Sequence, residues 1–325
     1  MKIFKTLISL VSFTVLSSTG MASTATPTEQ VPGYYHQQWG KYTVTALLDG
    51  TNYMSPSLFK TLNNSQVKHI QQILKKYHND QQQGVQTSVN AFLINTGTAL
   101  VLVDSGAASC FGPHLGSVSS NLVKAGYRLE DGNVVLLTHL HPDHVCGLTK
   151  EGQKVFPNAK VYAHEREVNY WLGQTPVNLS KEQLENYQST RNKIQDAIAP
   201  YQQDKQFITF KEGQSIAGLQ VMDTRGHTPG HHSFVLEQNK DKMVFIGDTV
   251  HSHSVQFEAP RTAIEYDIQP DEAVKTRLKL FSKIADEGSW VAAPHLPFPG
   301  IGHISKVANE QYLWIPVYFN NVLQK

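Results

Sequence analysis

The chain has 325 residues and carries 28 Lys and Arg against 27 Asp and Glu, for a formal net charge of +1 at pH 7. A chain so close to neutral lacks the basic surface that nucleic-acid binding needs, so we expect no nucleic-acid partner. Its length admits one large domain or two small ones, with enough residues for a sizeable core.

The first residues are typical of a secretory signal peptide. Lys2 and Lys5 give a basic start, a short apolar run follows, and Gly20 and Ala22 supply small residues at a cleavage point. We therefore predict a signal peptide over residues 1–22 and export to the periplasm or the extracellular space. The alternative is a membrane anchor, which would need about 20 apolar residues. No later segment is that long and apolar, so no membrane association is expected after cleavage.

The mature chain, residues 23–325, is predicted to be a single domain in which strands and helices alternate. Apolar runs bounded by turn residues predict strands over residues 42–49, 90–94, 99–103, 133–137, 160–163, 206–210, 219–223, 233–236, 243–246 and 290–293. Helical spacing of apolar residues predicts helices over residues 65–77, 115–125, 165–171, 181–198 and 270–284, and another beginning near Asp143. This alternation is typical of layered α/β packing with a site at one edge of the sheets.

Residues 138–144 carry three histidines and one aspartate directly after a predicted strand. His139 and His141 are two apart in extended chain, so both side chains point the same way and can meet one ion. The proline that follows suits the first turn of a helix, which would direct Asp143 and His144 towards a second ion. Such a turn can serve two ions about 3.5–4 Å apart. Imidazole and carboxylate ligands without thiolate favour zinc, with iron, manganese or cobalt as replacements.

Three further candidate ligands lie at later predicted strand ends or turns. His227 stands in the tight turn Gly-His-Thr-Pro-Gly-His, Asp248 follows one apolar strand, and His295 follows another. Each residue alone is also explained as a capped turn or a surface histidine. The ordered set of all of them favours a metal site with two ions.

These motifs resemble those of the metallo-β-lactamase fold superfamily of hydrolases: HxHxDH, then GHTPGH, then Gly-Asp, then a late histidine. The order covers nearly the whole mature chain. Residues 246–257 and 293–303 further resemble the secreted methyl parathion hydrolase branch, whose relatives include lactonases and aryl esterases. The resemblance implies an α/β fold, a four-layer αβ/βα sandwich of two mixed β-sheets flanked by helices.

The resemblance also implies a role for each candidate residue of the site. His139, His141 and His227 would hold the first of two zinc ions. Asp143, His144 and His295 would hold the second, and Asp248 would bridge the two, with His303 as a rival to His295. Asp104 would accept a hydrogen bond from a ligating imidazole, or else is a turn residue at a strand end. His251 would support the ligands in a similar way.

The walls of the site are implied by the same resemblance. Phe111, Trp171 and Phe298 would line a substrate pocket, although core packing is an alternative for the first two. Aromatic walls suit a small-molecule substrate with an apolar or aromatic part. Cys110 and Cys146 form either a disulfide or two free thiols. The family fold brings both close to the same edge, which allows the disulfide. A homodimer is left open.

The function that follows is an exported hydrolase in which two zinc ions make a bridging hydroxide available at neutral pH. This hydroxide would cleave an ester-type bond in a lactone such as an acyl-homoserine lactone, an aryl ester or an organophosphate triester, with Asp143 orienting the water. A zinc β-lactamase is the first alternative. A glyoxalase-type thioesterase is less favoured, because only 30 residues (325 − 295) follow His295, too few for its helical domain. A flavodiiron oxidoreductase lacks its acidic ligand here, and an inactive metal-binding scaffold would not need the complete ligand set.

Overall fold

The computed structural model describes residues 30–60, 66–79 and 84–320. The predicted signal peptide, residues 1–22, lies outside the described residues, and its cleavage stays a prediction. The compact unit described below begins at Pro32. Among the described residues, no helix combines the length and the apolar composition that crossing a membrane requires.

Two mixed β-sheets contain most of the strands. Within the described residues the strands are, in chain order, β1 (Tyr34–Trp39), β2 (Tyr42–Met54), β3 (Phe59–Lys60), β4 (Val85–Asn95), β5 (Leu100–Val103), β6 (Gly132–Leu136), β7 (Thr149–Lys150), β8 (Gln153–Lys154), β9 (Lys160–His164), β10 (Phe207–Phe210), β11 (Ser215–Ile216), β12 (Leu219–Asp223), β13 (His232–Gln238), β14 (Asp241–Phe245), β15 (Ala263–Ile264), β16 (Trp290–Ala292), β17 (Ile301–Ala308) and β18 (Gln311–Pro316).

The α-helices of the described residues are α1 (Gln66–Lys76), α2 (Val118–Lys124), α3 (Pro142–Val145), α4 (Glu165–Leu172), α5 (Lys181–Gln203), α6 (Val255–Glu258) and α7 (Pro270–Glu287). Their ends follow from local sequence. A capping box of Ser180 and Gln183 begins α5, because each side chain satisfies a backbone N–H of the other. Pro270 occupies the first turn of α7, and Gly288 ends that helix in the left-handed conformation that glycine adopts without strain.

The first sheet has the order β1-β2-β4-β5-β6-β9-β10, and the second has the order β11-β12-β13-β14-β16-β17-β18. In the first sheet β5, β6, β9 and β10 are parallel neighbours, whereas the other pairs are antiparallel. In the second sheet only β14 and β16 are parallel. Both sheets are therefore mixed, as expected.

Three apolar clusters divide the unit into four layers. One cluster lies between the two sheets and includes Phe92 and Val103 of the first and Phe234 and Phe245 of the second. Another joins the outer face of the first sheet to α2, α4 and α5. The third joins the outer face of the second sheet to α6 and α7. The predicted αβ/βα sandwich is confirmed.

Chain reversals at one edge of both sheets carry the candidate ligands. β6 ends at Leu136, just before His139, and its parallel neighbour β5 ends at Val103, just before Asp104. In the second sheet β14 and β16 are parallel and end before Asp248 and His295, respectively. Because parallel strands present their carboxyl ends at the same edge, these residues meet there.

Some elements differ from the sequence-based prediction. The elements that were not predicted are the strands β1, β3, β7, β8, β11, β15, β17 and β18 and the helix α6. The helix α5 extends beyond the predicted end at residue 198 and includes Pro200. A proline this close to the helix end removes one backbone hydrogen bond of the final turns and leaves the rest of the helix intact.

Candidate metal centre

The first candidate site is a cluster of three histidines and one aspartate. One ligand atom from each of His139, His141, His227 and Asp248 lies within 4.8 Å of all the others. His141 Nδ1 is 2.9 Å from His227 Nε2, and His227 Nε2 is 3.3 Å from Asp248 Oδ2. The structure thus brings together the three residues predicted for the first metal.

The second candidate site is contiguous with the first and shares Asp248. Its other members are Asp143, His144 and His295, again with ligand atoms within 4.8 Å of one another. His144 Nε2 is 3.2 Å from Asp248 Oδ1, and His295 Nε2 is 3.1 Å from Asp248 Oδ2. One carboxylate therefore faces both groups of histidines, as a bridging ligand must.

Unsatisfied polar atoms in these clusters fit a pair of cations. Within the described residues, His139 Nε2, His144 Nε2 and Asp248 Oδ1 are buried and have no hydrogen-bond partner. Leaving a buried polar atom unpaired costs free energy, and such atoms are rare in folded proteins. Imidazole nitrogens and carboxylate oxygens that converge in this way match the ligand set of zinc.

The pKa values of the histidines are shifted in opposite directions in the two clusters. Burial holds the pKa of His139 well below its usual value and lowers the pKa of His141 to about 3, helped by neighbouring histidines. Burial also acts to lower the pKa values of His144 and His295. The carboxylates of Asp248 and Asp143 outweigh it, so both values are raised. A metal ion at the second site would therefore compete with protons for these imidazoles.

Three of the candidate ligands have their other ring nitrogen within hydrogen-bonding distance of an oxygen atom that can orient the ring, an arrangement that is common at metal sites. Asp104 Oδ2 is 2.9 Å from His144 Nδ1, the contact expected for that aspartate. Asp267 Oδ1 is 2.9 Å from His227 Nδ1, and the carbonyl oxygen of Ser88 is 3.0 Å from His295 Nδ1. Asp267 and Ser88 were not predicted from the sequence, because neither belongs to a motif and both are distant in sequence from the ring that they orient.

The other candidate histidines have different positions. His251 Nε2 is 3.1 Å from Asp248 Oδ2, and its ring stacks on that of His295 with centroids 5.1 Å apart. His251 is thus beside the site without belonging to either cluster. His303 hydrogen-bonds through Nδ1 to the carbonyl oxygen of Ser289 at 3.2 Å and belongs to neither cluster. Of the two late histidines, His295 is the one in the site.

The three predicted wall residues are not equivalent. Trp171 is buried, and its ring meets that of His141 edge-on with centroids 5.5 Å apart. Phe111 is 46% exposed, with Lys193 Nζ 5.1 Å from its ring centroid. Phe298 packs against the core between the sheets and lines a cavity of about 310 Å³. Only Trp171 is shown in contact with a candidate ligand, and substrate-binding roles for all three stay predictions.

A disulfide joins Cys110 to Cys146 across 36 positions of sequence. Cys146 follows His144 by two residues, and Cys110 lies in the loop that contains Phe111. The bridge settles the open choice between a disulfide and two free thiols. It ties the Phe111 loop to the segment that supplies Asp143 and His144.

A third group of potential ligands, His164, Glu212 and His232, also has ligand atoms within 4.8 Å of one another. Arg166 fills this position, since its guanidinium pairs with Glu212 and lies 3.4 Å from His232 Nε2. His164 Nδ1 accepts a hydrogen bond from the backbone N–H of Arg166. The neutral ring must then carry its proton on Nε2, which leaves no lone pair for an ion.

Curated proteins with similar sequences include hydrolases. The chain is 30% identical over 151 residues to the uncharacterized protein YobT of Bacillus subtilis (strain 168), covering 46% of this chain and 58% of that protein. It is 26% identical over 125 residues to an N-acyl homoserine lactonase of Bacillus cereus, covering 38% of this chain and 41% of the lactonase. The chain thus aligns with about half the length of these relatives.

Solved structures match over more of the chain. A hydrolase of the β-lactamase superfamily named AbOPH superposes with a TM-score of 0.86 at 55% identity, covering 90% of this chain and 100% of that one. AidC, a dizinc quorum-quenching lactonase solved with the product N-hexanoyl-L-homoserine, superposes with a TM-score of 0.77 at 24% identity, covering 89% and 99%. This second likeness concerns the fold alone.

A match to a family model identifies the superfamily to which the chain belongs. The model described as the metallo-beta-lactamase superfamily matches residues 84–295, which contain both candidate sites. This agrees with the four-layer fold and with the superposed hydrolase. The chain is therefore a hydrolase of the metallo-β-lactamase superfamily.

Proposed function

We propose that this protein is an exported dizinc hydrolase that cleaves an ester-type bond in a small molecule with an apolar or aromatic part. The bond would be that of a lactone such as an acyl-homoserine lactone, an aryl ester or an organophosphate triester. The observation that carries the proposal is the sharing of Asp248 by two adjacent ligand clusters, each with a buried imidazole nitrogen that lacks a partner. Relatives named as N-acyl homoserine lactonases favour the lactone among these substrates.

The residues present would hold the ions as follows. His139, His141 and His227 would hold the first ion, Asp143, His144 and His295 would hold the second, and Asp248 is shared by both clusters. Two zinc ions, when bound, supply Lewis acidity and make hydroxide available from water at a pH of about 7. No nucleophilic serine or cysteine is then required of the chain.

Asp143 is the residue best placed to handle a proton. Its Oδ2 atom is 3.5 Å from His144 Nε2 and 3.4 Å from His295 Nε2, and its side chain remains 20% exposed. A carboxylate with this access can orient the attacking water and pass its proton outward. Trp171 beside His141 would exclude water from one side of the same space.

The test is a substrate panel on the mature protein loaded with zinc: hexanoyl-homoserine lactone, 4-nitrophenyl acetate, paraoxon, S-lactoylglutathione and a chromogenic β-lactam. We expect turnover of at least one of the first three. His139→Ala and Asp248→Ala should abolish it, since each removes a ligand. Turnover of the β-lactam alone would make a zinc β-lactamase the function. Activity of Asp248→Ala within about tenfold of the wild type, with zinc content unchanged, would refute the bridging role.

A further inference from the structure

Glu167 is a fully buried carboxylate that no sequence motif predicts. It lies in the first turn of α4, on the outer side of the first sheet, and is 0% exposed. Burying a carboxylate costs free energy unless hydrogen bonds replace the lost water. The hydrogen-bond partners of Glu167 therefore show which segments of the chain its carboxylate connects.

The two oxygens of Glu167 bind two separate segments, both of which carry candidate ligands. Oε2 accepts a hydrogen bond of 3.0 Å from the backbone N–H of Leu140, the residue between His139 and His141. Oε1 accepts one of 2.8 Å from the backbone N–H of Gly230, three residues after His227. One carboxylate thus ties together the two segments that supply all three histidines of the first site.

A third donor reaches the same carboxylate from one turn further along α4. Trp171 Nε1 donates to Oε2 at 3.1 Å. The indole ring meets His141 edge-on and also stacks on Tyr187. Glu167 therefore fixes the ring that packs against the half-buried histidine of the site.

Gly230 shows how closely the second segment lies on α4. A Cβ atom at this position would collide with the backbone nitrogen of Glu167 and would lie 2.9 Å from the carbonyl carbon of Arg166. Only glycine permits that approach. The last glycine of the Gly-His-Thr-Pro-Gly-His turn is thus explained by contact with the helix that carries Glu167.

The charge of Glu167 matters as well as its geometry. All three donors are neutral groups, so they stabilise the carboxylate without cancelling its charge. Burial raises the pKa of Glu167, and the hydrogen bonds from Leu140 and Gly230 oppose that change. When ionised, Glu167 places a negative charge near the first cluster, and such a charge favours a dication there.

We propose that Glu167 is a positioning residue for the first metal site: it clamps the Leu140 and Gly230 segments in the arrangement in which His139, His141 and His227 converge. The proposal rests on the proposed function only in requiring that the clusters bind zinc. It makes no claim about the substrate.

The second site has a clamp of its own, which supplies a matched control. Asn90 is buried, and its Nδ2 atom donates to the carbonyl oxygens of Pro294 and Leu296, both at 2.9 Å. These two residues flank His295. Asn90 therefore holds the late-histidine segment without touching the two segments that Glu167 joins.

The experiment measures the zinc dissociation constant of each site separately, by competition with a chelator. His295→Ala removes a ligand of the second site and leaves the first intact, and His139→Ala does the reverse. Glu167→Gln and Asn90→Ala are each introduced into both backgrounds. Glu167→Gln keeps the size of the side chain but replaces one acceptor oxygen by a donor and removes the charge.

We expect Glu167→Gln to raise the dissociation constant of the first site by about 10–100-fold, the usual cost of losing a group that orients ligands, and to change the second by less than about threefold. Asn90→Ala should show the opposite pattern. An equal loss at both sites, or no loss at the first, would overturn the proposal. If Glu167→Gln does not fold, Glu167→Asp decides in its place, because it keeps the charge but is too short to reach both segments.

The outcome separates this proposal from the proposed function. Site-specific loss of zinc in a protein that hydrolyses none of the esters would support the clamp and refute the substrate assignment. Ester hydrolysis with unchanged zinc affinity in Glu167→Gln would do the reverse. A wild-type protein that binds no zinc would refute both.

Discussion

Asp104 Oδ2 lies 2.9 Å from His144 Nδ1, while Oδ1 of the same carboxylate accepts a hydrogen bond of 2.8 Å from the backbone N–H of Thr138. Asp104 adopts a left-handed backbone conformation with φ of 58°, which aspartate tolerates better than most residues. The carboxylate at the end of β5 thus joins the second site to the residue that precedes His139.

Replacing Asp104 by alanine should weaken zinc binding at the second site. His144 loses the acceptor that fixes its ring, and Thr138 loses the acceptor for its buried N–H. We expect a dissociation constant raised by about 10–100-fold. Zinc titration in the His139→Ala background measures it.

The control for that prediction is Asp131→Ala, which removes an exposed aspartate just before β6. It should leave both zinc sites within about twofold of wild type, since exposed ion pairs contribute little. Equal zinc affinities in the two variants would show that the contact between Asp104 and His144 does not orient the ligand.

The second prediction is that Arg277 stabilises the fold. Its guanidinium is fully buried in α7 and donates to the carbonyl oxygens of Thr249, Pro260 and Thr262. Arg277→Met leaves the carbonyls of Thr249 and Pro260 without a donor and leaves that of Thr262 only the hydrogen bond from Gln256 Nε2, at a cost of about 3–5 kcal/mol in the free energy of unfolding. Denaturant unfolding of the zinc-free protein measures the change.

Lys279→Met is the matched substitution on the same helix, at an exposed position. It should change the free energy of unfolding by no more than about 0.5 kcal/mol. If Arg277→Met were as mild, the three hydrogen bonds would not stabilise the loop that follows Asp248.

The sequence was sufficient to predict which residues converge in the two candidate clusters, because each of them belongs to a short, local pattern. His139, Asp248 and His295 come directly after apolar strands, and a strand that ends in a charged or imidazole side chain is visible within a few residues. The parallel pairing of neighbouring strands then brings these ends to one edge. The alternation of strands and helices predicted layered α/β packing, and the order of the four layers came from the resemblance to the metallo-β-lactamase superfamily.

The residues that orient the ligands could not be predicted in this way. Asp267 is 40 positions from His227, and Glu167 receives its hydrogen bonds from residues on two segments that are 90 positions apart. Such contacts depend on the tertiary fold and leave no local pattern. The edge strand β18 was missed for another reason: exposed Leu313 and Ile315 alternate with buried Tyr312 and Trp314, so the strand has no polar face.

The disulfide between Cys110 and Cys146 should contribute measurably to stability. It closes a loop of 36 residues, for which chain-entropy arguments give about 2–4 kcal/mol. Both cysteines line a cavity of about 530 Å³, and Cys110 is partly exposed, which gives a soluble reductant a route to the bridge. We expect reduction to lower the midpoint of denaturant unfolding.

The double variant Cys110→Ser, Cys146→Ser is the control for reduction. Its unfolding midpoint should match that of the reduced wild type and should not respond to reductant. A wild-type midpoint that stays constant while thiol titration shows two free cysteines would mean that the bridge adds no stability.

Tyr201 gives a prediction for alkaline pH. Tyr201 lies on the buried face of α5. Its hydroxyl donates to the carbonyl oxygen of Leu148 at 3.0 Å and accepts from the backbone N–H of Phe156 at 3.2 Å. Burial raises its pKa from 10.0 to about 12. The folded protein therefore holds this proton at pH values where the unfolded chain has lost it.

Because the folded pKa is raised, the stabilising effect of the neutral hydroxyl is complete below pH 10 and is lost as pH rises towards 12. In that interval its contribution to the free energy of unfolding should fall by up to about 1.4 kcal/mol per pH unit. Tyr201→Phe cannot titrate there, so the difference in unfolding free energy between wild type and variant isolates the effect. Urea unfolding of the zinc-free proteins between pH 8 and pH 11.5 should show a constant difference followed by a decline. A difference that stays constant up to pH 11.5 would mean that this hydroxyl ionises no less readily in the folded protein than in the unfolded chain.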